Sequence, residues 1–288
     1  DLVVINDDDL TYAISRLDER STDVALTYVA SIDVALTRAV IWASLWNAVR
    51  DGLLDPRRFI VAVLTAVPAE TEPAIRDRLL HFVAEAISSF LPGSLRTDVH
   101  DQVLATTIRL SRETEDADAW RSYTRAFIAE FAARGGDEYE ATVRGFAASD
   151  NPDIAWRARR ALAARGLVDA GAVEAWRSAD GSGEAARMSV EALASLPIEE
   201  ARSHAWDSVY SETLSNDFLT ATLAGLQASS WDGETGIEAA VDRLRSYWES
   251  HTIGMALRYA NGVLAYGLDI DRDGSVERSV GLLRSWLD

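Results

Sequence analysis

The sequence predicts an all-α fold of stacked helices, entered through a short β-hairpin. Three observations predict it. Beyond Ser21, apolar residues recur at i, i+3, i+4 and i+7 in segment after segment. Gly, Asp-Pro and Asn-Pro fall where those segments stop and start. Only the first twenty-one residues break the helical pattern.

That opening stretch, Asp1-Leu-Val-Val-Ile-Asn-Asp-Asp-Asp-Leu-Thr-Tyr-Ala-Ile-Ser-Arg-Leu-Asp-Glu-Arg-Ser21, reads as two strands around an acidic turn. Two lone strands bury no face. The chain also begins at Asp1 rather than Met. The expectation is therefore the cut end of a larger protein: residues 1–20 a β-strand junction to a missing upstream domain, residues 21–288 a helical-repeat domain. Adjacent carboxylates repel one another and favour solvent or an Arg partner. Asn6, Asp7, Asp8, Asp9, Tyr12 and Arg16 are the candidate junction residues, with the turn expected to pair with Arg16 or Arg20.

The helical segments follow in order. Asp33 is expected to cap a helix, and Asp55-Pro56 is an N-cap followed by Pro at the first helical position. Leu79, Phe82, Val83, Ala86, Ile87 and Phe90 make one apolar stripe, and Trp120, Tyr123, Phe127, Ile128 and Phe131 another, with Asp118 as expected cap. Asn151-Pro152 opens the next helix. Met188, Ala192, Leu193 and Leu196 continue the pattern, then Leu219, Leu223 and Leu226, then Ile237, Ala240, Val241, Leu244 and Trp248. Val276, Val280, Leu283 and Leu287 close it. Gly52, Gly93, Gly135-Gly136 and Gly166 stand where left-handed C-caps are expected. About a dozen or more short helices with one apolar stripe each imply stacked helix pairs. Pro152 and Pro197, 45 residues apart (197 − 152), both open acidic-then-aromatic segments, a spacing in the HEAT range. The expected architecture is an irregular HEAT-like helical solenoid, an α-α superhelix, with a soft boundary at Gly181-Ser-Gly183. The nine Trp residues mostly fall on apolar stripes and read as core, with an aromatic peptide groove as the alternative.

Composition excludes several functions. The chain has 288 residues, no Cys, and 28 basic residues that are all Arg, against 46 acids, for a net charge of -18. Thiol catalysis, disulfides and thiolate metal sites are ruled out. Phosphate backbones would repel so acidic a surface, so no nucleic-acid partner is expected. No apolar run spans a bilayer, and no signal peptide precedes the first strand, so a cytoplasmic protein without membrane contact is expected. The charge itself reads as solubility, or as a bias toward cationic ligands.

Motifs that carry chemistry are absent or incomplete. A zinc-peptidase helix needs His-Glu-x-x-His, two imidazoles on one face with a Glu beside the metal-bound water. None of His81, His100, His204 and His251 is followed by Glu, and no two lie four apart. Asp98-Val-His100-Asp101 reads as exposed helix surface. Asp269-Ile-Asp271-Arg-Asp273-Gly274 opens like a calcium loop, but its twelfth position is Val280 rather than a bidentate Glu, so a polar turn is the better reading. There is no Gly-x-Ser-x-Gly, Walker loop or Gly-x-Gly-x-x-Gly, and Asp180-Gly-Ser-Gly183 is too short to cradle phosphate. No catalytic and no metal-binding residue is expected in this chain.

The segment Asn6-Asp-Asp-Asp-Leu-Thr-Tyr-Ala-Ile-Ser-Arg-Leu-Asp-Glu-Arg-Ser21 resembles a signature of bacterial aminopeptidase N of the high-GC type. Ala39-Val-Ile-Trp42-Ala-Ser-Leu-Trp46-Asn-Ala-Val-Arg-Asp51 matches the same family, and His204-Ala-Trp206 and Leu214-Ser-Asn216 match more weakly. The resemblance implies the all-helical C-terminal domain of a zinc metallo-aminopeptidase, similar to that of the endoplasmic-reticulum aminopeptidases. It implies that the hairpin is left from a preceding β-sandwich. The His-Glu-x-x-His and Gly-x-Met-x-Asn motifs would lie upstream, since Gly254-Met255 continues as Ala-Leu. Zinc would belong to the parent enzyme and no cofactor to this chain. The implied role is non-catalytic: capping and shaping the chamber that admits peptide substrates, with the upstream catalytic and β-sandwich domains of the same polypeptide as partners. A free-standing helical-repeat scaffold for protein binding is the alternative, and a calcium-responsive module a third.

Overall fold

A computed structural model describes residues 1–210, 214–228, 240, 242–267, 281 and 284. Among them are fourteen α-helices and no strand. The helices are α1 (Glu19–Tyr28), α2 (Ala35–Arg50), α3 (Pro56–Ala66), α4 (Pro73–Phe90), α5 (Gly93–Glu113), α6 (Ala117–Arg134) and α7 (Asp137–Ala147). There follow α8 (Pro152–Ala164), α9 (Ala170–Ala179), α10 (Gly183–Ala194), α11 (Glu199–Val209), α12 (Asn216–Ala228), α13 (Leu244–Ser250) and α14 (Ile253–Gly267). No helix among the described residues is long and apolar enough to cross a membrane.

The caps follow side-chain chemistry. Asp55 accepts from the Arg57 N–H at 2.8 Å and Asn151 from the Ile154 N–H at 3.3 Å, each with Pro at the first helical position. Asp33 does not cap: α2 starts later, after Val34, without a side-chain cap. Asp118 lies inside the first turn of α6, and Asp116 accepts from the Ala119 N–H at 2.6 Å instead. Gly52 and Gly166 take φ of 70° and 65°. After each, the next amide reaches five residues back, Leu53 to Ala48 at 2.8 Å and Leu167 to Leu162 at 2.9 Å, closing the helix by a Schellman turn. Gly93 opens α5 rather than ending α4.

The chain sorts into two compact units, 1–130 and 131–288, so the division falls within α6 and not at Gly181–Gly183. The first unit is built around aromatic rings from α2, α3 and α4. Trp46 stacks on Phe82 at 4.5 Å and meets Phe59 and Phe90 at 5.6 Å, while Trp42 packs edge-on to Phe59 at 6.0 Å. A second apolar knot joins Val67, Leu80, Leu110, Ala119 and Tyr123. The same unit holds a buried ion pair: Arg38 on α2 grips Glu70 with Nε at 2.9 Å and Nη2 at 2.6 Å, while its Nη1 donates to the carbonyls of Ile32 and Asp33.

In the second unit each odd helix packs on the even helix that follows it. The even helices α8, α10, α12 and α14 pack side by side in series. The pairs starting at α7, α9 and α11 begin 33 and 29 residues apart (170 − 137 and 199 − 170). The 45-residue spacing was therefore out of register: Pro152 opens α8, an even helix, whereas Pro197 precedes α11, an odd one. The series needs small residues where helices cross. At Gly225 on α12 a Cβ would collide with the Glu191 carbonyl and lie 2.7 Å from the Ala194 Cβ.

Of the Trp residues, Trp42, Trp46 and Trp156 are buried and Trp120, Trp176 and Trp206 partly so. Trp248, placed on an apolar stripe by its spacing, is 46% exposed. Trp231, Trp286 and the segments Val276–Leu287 and Asp269–Gly274 lie outside the residues described, apart from positions 281 and 284.

Candidate functional site

The junction residues come from the segment that precedes α1, and no strand forms there. Burial nevertheless alternates over residues 1–6 as it would along a strand. Leu2, Val4 and Leu17 pack against the first core, while Val3 and Ile5 point outward. What is missing is a neighbouring ladder; two extended runs need a third partner to make a sheet. The hairpin expected here is thus a hydrogen-bonded reversal instead.

Asn6 makes that reversal. With φ 64° it occupies the left-handed region, as does Asp9 at φ 52°. The Asp9 N–H donates to the Asn6 carbonyl at 2.9 Å. The Asn6 side chain mimics one rung of a ladder across the turn: its Nδ2 donates to the Thr11 carbonyl at 2.8 Å, and its Oδ1 accepts from the Thr11 N–H at 3.0 Å. Ser15 Oγ donates to the Ile5 carbonyl at 3.2 Å. Asn suits the position because its short amide side chain can satisfy the backbone locally at positive φ.

The acids of the turn do not pair with Arg16 or Arg20. Arg16 reaches Asp51 at the end of α2, Nη2 to Oδ2 2.8 Å, and Arg20 lies 3.7 Å from Asp1. Asp7, Asp8 and Asp9 are exposed, so water solvates them without an Arg. Beyond the turn the apolar residues stand in solvent: Leu10 is 85% exposed, Ile14 is 73% and Tyr12 is fully exposed. Together with Val3 and Ile5 they form an apolar surface on a segment with no sheet partner.

No metal centre accompanies this surface. Among the described residues no three His, Asp or Glu side chains come together as metal ligands, so they do not fit a zinc site and no zinc-dependent step is assigned to them. Within Asp98-Val-His100-Asp101, His100 is drawn inward by Glu130 on α6, Nδ1 to Oε2 2.5 Å. His251 stacks on Tyr247 at 3.8 Å. His204 is exposed beside an apolar cleft of about 480 Å³ between α10, α11 and α12, which Leu193, Leu196, Leu214 and Phe218 line and Glu174 and Glu200 flank. Sequence reading missed this cleft, because its walls come from separate stripes that read only as core.

The second matching segment, Ala39–Asp51, is the buried face of α2: Ile41, Trp42, Leu45, Trp46 and Val49 are core residues. It therefore carries packing rather than chemistry.

A family model described as ERAP1-like C-terminal domain matches residues 2–264. Aminopeptidase N of Streptomyces lividans is 28% identical over 277 residues, which cover 91% of this chain and 32% of that protein. The chain thus spans about a third of the length of this relative.

Proposed function

The chain belongs to the family of ERAP1-like C-terminal domains, and from that membership we propose that it serves as the non-catalytic C-terminal domain of a zinc aminopeptidase. In that role it caps and shapes the chamber that peptide substrates enter, while the parent polypeptide releases their N-terminal residues. The observation that carries this reading is the family match over residues 2–264. The free-standing scaffold is not favoured, since the relative is a peptidase of which this chain matches 32%.

Two further features support the reading. The exposed apolar residues Val3, Ile5, Leu10, Tyr12 and Ile14 offer a face for a preceding domain of the same polypeptide, whose strand would complete the alternating pattern. The serial packing of α8, α10, α12 and α14 suits a HEAT-like solenoid, an architecture that presents extended curved surfaces to ligands. With a net charge of -18, such a surface would draw in peptide ammonium groups by long-range attraction that salt weakens.

The test compares the full-length polypeptide with a version lacking this region. Deletion is expected to leave hydrolysis of a single-residue chromogenic substrate detectable while changing the preference for peptide length. An unchanged length preference in a folded deletion variant would refute the chamber role. Turnover by the 288-residue chain alone, with zinc supplied, would refute the non-catalytic one.

A further inference from the structure

A pocket in the first unit carries charge of both signs. Its volume is about 430 Å³, and it lies where α4, the end of α5 and the start of α6 meet. Arg76, Glu113, Asp116 and Tyr123 line it, with Leu110 and Ala119 as apolar wall.

Arg76 is 4% exposed. Its Nη1 donates to the Glu70 carbonyl at 3.0 Å and its Nε to Ser122 Oγ at 3.4 Å. Its Nη2 is buried and donates no hydrogen bond. Asp116 Oδ1 is 3.9 Å from that nitrogen, beyond hydrogen-bond reach. A guanidinium N–H buried without an acceptor is costly, so an acceptor entering here gains more than it would at the surface.

The other charges at the pocket are already paired. Arg38 engages Glu70, and Arg109 engages Glu113 at 2.6 Å. The buried Arg76 and Asp116, whose side chain is 65% exposed, face only each other, at 3.9 Å and without a hydrogen bond between them. Asp116 is held in place by the Ala119 N–H, and that bond, despite a smaller opposing effect of desolvation, keeps its carboxyl below the usual range. A simple anion approaching Arg76 would meet Asp116, and a simple cation approaching Asp116 would meet Arg76. A ligand with both charges close together satisfies both.

We propose that this pocket binds a free α-amino acid as its zwitterion, with the carboxylate accepting from Arg76 Nη2 and the ammonium donating to Asp116. An α-amino acid carries both groups on one carbon, a spacing suited to charges 3.9 Å apart. An apolar side chain would rest against Leu110, Ala119 and the Tyr123 ring. The site stands on these residues alone, independent of whether the chain caps a peptidase.

Isothermal titration of the 288-residue chain with leucine, leucinamide and N-acetyl-leucine, at low salt and neutral pH, tests it. Leucine is expected to bind saturably. Leucinamide lacks the carboxylate and N-acetyl-leucine the ammonium, so each is expected to bind at least about tenfold more weakly. Arg76 also braces Glu70 and Ser122, so Asp116→Asn is the cleaner variant: Asn keeps the cap acceptor and removes the charge. It is expected to keep its helical circular dichroism and lose about tenfold or more in leucine affinity. No saturable binding of leucine, equal binding of either analogue, or unchanged affinity in a folded Asp116→Asn variant would each overturn the proposal.

Discussion

Arg38 and Glu70 show how much a single buried charge pair can control. Their side chains are 7% and 3% exposed. Removing the cation alone leaves a buried carboxylate, so Arg38→Met is expected to cost about 3–5 kcal/mol, read from the urea midpoint. Burial by itself would raise the Glu70 pKa, but hydrogen bonds from Arg38 and from the Glu72 amide outweigh it and hold the group below its ordinary 4.5. A depressed folded pKa means the contribution is present above the ordinary value and lost as pH falls through the lowered one. Glu70→Gln should therefore lower Tm near neutral pH, and the gap to wild type should narrow as pH is taken from about 6 to about 3. A gap that stays constant would show that the carboxylate does not drive the difference. Nothing in the sequence marked this pair: the partners are separated by 32 positions, and each alone reads as solvated surface.

At the scale of elements, sequence and structure part company where two explanations share one pattern. The apolar stripes of α4, α6 and α10 were legible because period 3.6 has no competing reading at that length. Burial alternates with period 2 over residues 1–6, which describes an extended chain equally well with or without a partner strand. Asp33 and Asp118 failed as caps because a neighbouring residue sets the helix start, Val34 in one case and Asp116 in the other. Where cap and Pro coincide the reading succeeded, and Asn151→Ala should cost about 1 kcal/mol in thermal unfolding. Close crossings are invisible in sequence, since a helical Gly looks like a weakness rather than a requirement. Gly225→Ala gains helix propensity yet must force α10 and α12 apart, so a net loss of about 1–3 kcal/mol is expected in denaturant unfolding. Net stabilisation would mean that the helices separate without cost.

Over the whole molecule, the apolar residues left outside the core set a testable division between chain and parent. Leu10, Tyr12 and Ile14 bury little within this chain, so the triple change to Ser is expected to leave its Tm within about 2 °C. Under the junction role proposed above, the same change in the full-length polypeptide should loosen the proposed preceding domain, read as faster proteolysis near residue 20. Equal proteolysis in both would remove this surface from the junction. The all-helical class was legible from the apolar stripes beyond Ser21, and the family from residues 1–51, because that stretch joins a turn with few solutions, held by Asn6, to a buried face with fixed shape on α2. The pocket at Arg76 was not legible, because it depends on residues 70 to 123 meeting in space and on which of their charges are already neutralised.

The row of α8, α10, α12 and α14 also governs how this part of the chain comes apart. Each helix in it meets chiefly its immediate neighbours. Order in such an array spreads like a row of coupled switches rather than a single all-or-none event. Contacts close in sequence form quickly and reopen one at a time. Amide hydrogen exchange should therefore be slowest on α10 and α12, each flanked on both sides, and faster on α14, the last of the row among the described residues. Such a unit can fray at one end while its middle holds.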